Sequence, residues 1–114
     1  MEHCIFCRIA SGEAPAEIVV ADDEAVAFRD LSPKAPTHVL VIPRRHVASL
    51  AHAVPEDQAL LGRLMLLAAE AARRTGIADG GYRVVTNIGT GAGQSVFHIH
   101  LHVLGGRRFS WPPG

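Results

Sequence analysis

The chain has 114 residues, 48% of them hydrophobic and 19% charged, which suits one packed domain and argues against disorder. Lys+Arg and Asp+Glu number 11 each, so the formal net charge is zero. That balance, with only 4 Phe, 1 Tyr and 1 Trp, excludes a nucleic-acid surface built on a basic excess or on base stacking. The longest clean apolar run, Leu64 to Ala69, is far short of the ~18 residues of a membrane span.

Residues 4–10 read as one or two helical turns, stopped near Gly12 and Pro15. Ile18 to Ala21 is a strand by its β-branched content. Asp22-Asp23 turns the chain, and Ala25 to Arg29 returns it as a hairpin. Leu31 to Thr37 carries two prolines and is a loop. Val39 to Ile42 is continuously apolar, a strand buried on both faces and ended by Pro43. Pro55 to Thr75 is the one long helix, with Pro at its start, Glu56 and Asp57 in its first turn, Arg73 and Arg74 in its last, and Gly76 as a stop. Its polar stripe, Arg63, Glu70 and Arg74, is narrow for a helix that covers only its own sheet. A second buried face, against another copy of the chain, is expected. Tyr82 to Asn87 is a strand, Ile88 to Gln94 a glycine-rich loop, and Ser95 to Leu104 the last strand. Five strands with one main helix give an antiparallel α+β sandwich, and no repeat or linker divides residues 1–114. The N-terminus, Met1 to Cys4, has no basic and apolar leader. Two cysteines make no secreted disulfide framework. A cytoplasmic location is expected.

Histidine is the outlier: there are 7, and three of them, His98, His100 and His102, fall at period two. On a strand those three share one face, while Ile99, Leu101 and Val103 point to the core. A solvated face, a metal site and a nucleophilic centre all remain open for such a face. The loop that leads into it, Asn87 to Ser95, has three glycines and can offer backbone amides to an anion. It is no Walker A loop, and no acidic pair marks a magnesium site. Phosphate beside imidazoles suits transfer through a histidine-bound intermediate. Cys4-x-x-Cys7 also has three readings: a redox pair, two unconnected thiols, or half of a zinc site.

The run His98-Ile99-His100-Leu101-His102-Val103-Leu104 resembles the signature of the histidine-triad (HIT) nucleotide-binding proteins. Supporting stretches are Ile5-Phe6, Ser32 to His38, Val41 to His46, Gly93 to Val96 and Trp111 to Gly114. The closing Trp-Pro-Pro-Gly is most similar to the Hint branch, and His102, where the uridylyltransferases have Gln, favours hydrolysis. The resemblance implies a HIT-like α+β fold: an antiparallel five-stranded sheet with one long and one short helix, paired into a homodimer. It implies a hydrolase of purine nucleoside phosphoramidates or related adenylated conjugates, bound as an AMP-like nucleotide. His100 would be the nucleophile, His102 and Ser95 would serve phosphate and leaving group, and His38 would support the hydrogen-bond network. Asn87, Gly93, Gln94 and Ser95 would hold phosphate oxygens, with His100 and His102 beside them. Asp30 would bind the ribose, and Ile5, Phe6, Ile9, Phe28 and Leu31 the base. It further implies a structural zinc on Cys4, Cys7, His46 and His98, and no cofactor for the chemistry itself. His3 and His52 are left as surface residues. The tail near Trp111 would help shape the opening of the site. The rival readings are a dinucleoside polyphosphate hydrolase and a nucleotide-sensing scaffold.

Overall fold

The computed structural model describes residues 3–114; Met1 and Glu2, where the N-terminal reading begins, lie outside them. In chain order the elements are α1 (Ile5–Ser11), β1 (Ile18–Ala21), β2 (Ala25–Arg29), β3 (Thr37–Pro43), α2 (Gln58–Arg74), β4 (Tyr82–Val85) and β5 (Leu101–Gly105). The five strands form one antiparallel sheet in the order β1-β2-β3-β5-β4.

Strict alternation along the central strands divides the interior in two. Ala25, Ala27, Val39, Val41, Leu101 and Val103 face α2 and meet its Leu60, Leu64, Leu67, Ala68, Ala71 and Ala72. The intervening Val26, Phe28, Leu40 and Ile42 face the other way, onto Phe6 and Ala10 of α1. Both faces of β3 are therefore covered, as its unbroken apolar run requires. The long helix occupies one face of the sheet, and the short helix leaves room beside it on the other.

Local chemistry sets the boundaries. Cys4 is the N-cap of α1, its sulfur accepting from Cys7 N–H at 3.4 Å. Gly12 ends the helix at φ +85°, a left-handed conformation natural to glycine. In the β1–β2 turn, Asp22 accepts from the amides of Glu24 and Ala25, both at 2.8 Å. The long helix begins later than predicted. Pro55–Asp57 is a 3₁₀ turn, because the buried Asp57 folds back to accept the Val54 amide at 2.9 Å and also pairs with Arg45. β4 stops at Val85, two residues short of the predicted end. The next side chain, Thr86, turns its hydroxyl onto the His100 carbonyl at 2.9 Å instead.

The largest departure is in the last strand. The sequence predicts it from Ser95, but ladder pairing begins only at Leu101, opposite Val41. The same register would set Ile99 against Pro43, which has no N–H to give. Ile99 N–H goes instead to the Val47 carbonyl at 2.6 Å, and the Pro43 carbonyl accepts the His98 ring at 2.8 Å. Of the three histidines only His102 lies on a strand; His98 and His100 stand on the irregular approach to it. The alternation survives, since Ile99, Leu101 and Val103 all join the α2 core.

Candidate active site and metal centre

All three triad histidines lie on the α1 side of the sheet, as the alternation predicts. They nevertheless serve two clusters. Phe6 of α1 stands edge-on between them, its ring centroid 6.0 Å from that of His98 and 5.0 Å from that of His100. His100 and His102 are 5.0 Å apart, and His102 and His38 5.1 Å.

Backbone groups fix the proton on the rings of His100 and His38, and His38 in turn fixes that of His102. His100 Nδ1 sits 2.8 Å from the His98 carbonyl. A carbonyl only accepts, so Nδ1 carries the proton and Nε2 keeps its lone pair. His38 is wired in the opposite sense. Its Nδ1 accepts from the Lys34 amide at 3.0 Å, so its proton is on Nε2. That N–H donates to His102 Nδ1 at 2.8 Å. His102 therefore holds its own proton on Nε2. The pair offers one imidazole with a free lone pair beside one with a free N–H, and the backbone decides which is which. His38 reaches the set through His102, not through direct contact with His100. Burial, together with the His100 and His38 rings, holds His102 down to about 4 against the opposing pull of Asp30. Burial likewise lowers His38. At neutral pH His102 is thus a neutral donor.

A cavity of about 280 Å³ opens beside these rings, at the lower end of small-molecule sites. It is lined by Ile5, Phe6, Ile9, Phe28 and Leu31, the five residues predicted for an apolar slot, and by Asp30, Ser95, His100 and His102. Sequence reasoning missed Leu40 and Val96 in the same wall. Leu40 was within reach: it lies two residues from His38 on one face and pairs with His102 in the ladder.

Of the four loop residues expected to hold phosphate, Ser95 lines this cavity. Gln94 is buried and clamps the loop: its Oε1 accepts from Gly89 N–H at 2.9 Å, and its Nε2 donates to the Ala48 and Val96 carbonyls at 2.8 and 3.1 Å. The amides of Ala92, Gly93 and Gln94 close onto the Gly89 and Thr90 carbonyls. The buried Gln94 side chain and these amides therefore hold the loop's own shape. Ser95, at the loop's end, is the member of the set that faces the cavity.

The second cluster brings together Cys4, Cys7, His46 and His98, whose ligand atoms all lie within 4.8 Å of one another. Four of the contacts are 3.3 Å (Cys4 Sγ to His98 Nδ1), 3.3 Å (Cys7 Sγ to His46 Nδ1), 3.5 Å (Cys7 Sγ to His98 Nδ1) and 3.2 Å (His46 Nδ1 to His98 Nδ1). A tetrahedral zinc with ordinary Zn–S and Zn–N bonds has ligand–ligand edges of roughly 3.3–3.8 Å, so the spacing fits. The chemistry of the donors fits too. His98 Nε2 donates to the Pro43 carbonyl, which leaves the Nδ1 lone pair facing the two sulfurs. Burial and the neighbouring Cys4 raise the Cys7 thiol, the cost that a bound cation would offset. Four protein ligands leave no open position, so an ion here would be structural.

His98 therefore belongs to both clusters, through its ring in one and its carbonyl in the other. Of the two unassigned histidines, His52 is exposed and bonds Ser49 Oγ at 2.9 Å. His3 lines a cavity with Cys4, His46 and Phe97. Trp111 is 82% exposed.

The chain is similar to known proteins in sequence and in fold. The HIT domain profile matches residues 11–109. An uncharacterized HIT-like protein of Synechocystis sp. is 54% identical over 113 residues, covering 99% of this chain and 98% of its own length. The crystal structure of a HIT family hydrolase from Legionella pneumophila Philadelphia 1 superposes with a TM-score of 0.95 at 47% identity, covering 98% of this chain and 100% of that one. A Zn-bound histidine triad family protein from Mycobacterium smegmatis superposes with a TM-score of 0.78 at 37% identity, covering 93% of this chain and 76% of that one. With its profile match, its close relatives and its sheet topology all in agreement, this chain belongs to the HIT domain family.

Proposed function

We propose that the chain is a nucleotide-binding hydrolase of the Hint type, acting on purine nucleoside phosphoramidates or related adenylated conjugates. The observation that carries this reading is the opposite wiring of neighbouring rings. His100 Nδ1–H is tied to the His98 carbonyl, and His102 Nδ1 is tied to His38. In the proposed reaction the His100 Nε2 lone pair forms a bond to the α-phosphorus, and the bond from phosphorus to the leaving nitrogen or oxygen breaks. The leaving group takes its proton from the Ser95–His102 pair, and the water of the second step returns one to that pair. Water then attacks the same phosphorus, the N–P bond returns its electron pair to His100, and nucleoside monophosphate departs. The apolar slot takes the base and Asp30 the ribose hydroxyls. Zinc would be held by Cys4, Cys7, His46 and His98 and would supply structure alone; the zinc-bound M. smegmatis relative supports this assignment.

The test is intact-mass spectrometry after mixing with a slowly turned-over adenosine phosphoramidate. A nucleotidyl adduct localised to His100, followed by release of AMP, is the expected result. Faster cleavage of a diadenosine polyphosphate than of the phosphoramidate would replace this reading with the polyphosphate one. Binding of AMP without cleavage of either substrate would favour a nucleotide sensor.

The assembly belongs to the same reading. Met65 and Leu66, on the outer side of α2, are 54% and 62% exposed, and β4 is an edge strand of the sheet. An exposed apolar helix face and an open edge strand both suit a second copy of the chain. Light scattering should report a dimer at micromolar concentration, and Leu66→Glu should shift it towards monomer. A monomeric wild-type protein would remove the assembly from the proposal.

A further inference from the structure

We propose that Asp30 is also a positioning residue for His102, acting through His38. This rests on the hydrolase reading above, and goes beyond the ribose contact assigned to Asp30 there.

The geometry is direct. Asp30 Oδ1 is pinned by the Ser32 amide at 2.7 Å. Oδ2 is thereby aimed at His38 Nε2, 3.4 Å away, with the carboxylate only 20% exposed. The backbones are tied as well, Asp30 N–H donating to the His38 carbonyl at 3.0 Å. His38 Nε2 is the nitrogen whose proton reaches His102 Nδ1. Two groups therefore demand that this proton stay on Nε2: the Lys34 amide, which needs a lone pair at Nδ1, and the Asp30 carboxylate, which repels a lone pair at Nε2. If the proton moved, His38 would face an N–H with an N–H and a carboxylate with a lone pair. His102 would then turn a lone pair, not a donor, towards the cavity.

Of the titratable and charged groups that act on His102, which are His100, His38, Lys34 and Asp30, Asp30 is the one anion. By keeping the His38 proton on Nε2, its carboxylate steadies the neutral donor form of the ring that serves the leaving group. One residue couples recognition of the sugar to the readiness of the donor, in the way an outer carboxylate orients a histidine elsewhere.

Asp30→Asn keeps an oxygen for the Ser32 amide and removes the charge; Asp30→Ser does the same with a hydroxyl. Both are compared with wild type on a purine ribonucleoside phosphoramidate and on its 2′,3′-dideoxy counterpart, which has no sugar hydroxyls for Asp30 to hold. A positioning role predicts that kcat on the dideoxy substrate still falls by about tenfold or more. A role confined to the ribose predicts kcat and KM on that substrate within twofold of wild type, and that result overturns the proposal. The second readout is the ¹⁵N chemical shift of the His102 ring, read with nucleoside monophosphate absent. It should show the Nε2–H form in the wild type and a loss of that form in both variants. An unchanged ring in folded variants also overturns the proposal. If wild type cleaves neither substrate, the hydrolase reading fails, and the ring measurement still decides the role of Asp30.

Discussion

Replacing His100 with alanine is expected to lower kcat at least about a thousandfold, because no other imidazole in the cavity presents a free lone pair. His102 is adjacent, but its Nδ1 is engaged by His38 and its Nε2 carries the proton. His98 is turned into the metal cluster. Affinity for nucleoside monophosphate should change far less, since the apolar wall and Asp30 are untouched. The measurement pairs single-turnover kinetics with calorimetric titration of AMP. Activity within tenfold of wild type would show that another atom attacks phosphorus.

The second large effect concerns Cys7. Its sulfur is 3.3 Å from His46 Nδ1 and 3.5 Å from His98 Nδ1, so it touches both histidines of the metal cluster. Protein never exposed to a chelator should carry about one zinc per chain, and Cys7→Ser should carry almost none. Loss of the ion should lower Tm by roughly 10 °C or more, equivalent to about 2 kcal/mol in a domain of this size. Cys7 does not line the nucleotide cavity, yet kcat should fall too. The His98 carbonyl that holds His100 Nδ1–H is carried by a residue whose ring the metal fixes. Metal analysis and calorimetry check the first two effects; wild-type protein free of zinc would refute them. Binding should weaken as pH falls, because the ligand thiols must be deprotonated and Cys7 is already shifted upwards by burial.

Much of this molecule could be read from residue order. Periodicity and turn residues located α1, the β1–β2 hairpin and the buried β3, and the period-two rule put Ile99, Leu101 and Val103 in the core and the histidines opposite. The five slot residues and the four metal-cluster residues came together as the family resemblance implies. What local pattern could not show was competition between distant partners. Pro43 ends the ladder on β5 although it is 58 residues from Leu101, because pairing register sets it opposite Ile99. The clamp made by Gln94 was out of sight too, because the Ala48 carbonyl that it binds lies 46 residues away. The direction of each imidazole proton was equally hidden, since it depends on the Lys34 amide and on the His98 carbonyl.

The clamp made by Gln94 has a consequence for how tightly a nucleotide can be held. A segment with glycines at 89, 91 and 93 would ordinarily sample many shapes, and a ligand would have to select one at an entropic cost of about 1–2 kcal/mol per ordered residue. Here three side-chain bonds, with Gly89 and Gly93 at φ +85° and +91°, freeze that segment as the chain folds. The disorder is removed before any ligand arrives, so Ser95 is already in place for the phosphate contact proposed for it. An arriving nucleotide can then direct its binding energy to the reacting phosphorus instead of to ordering the loop.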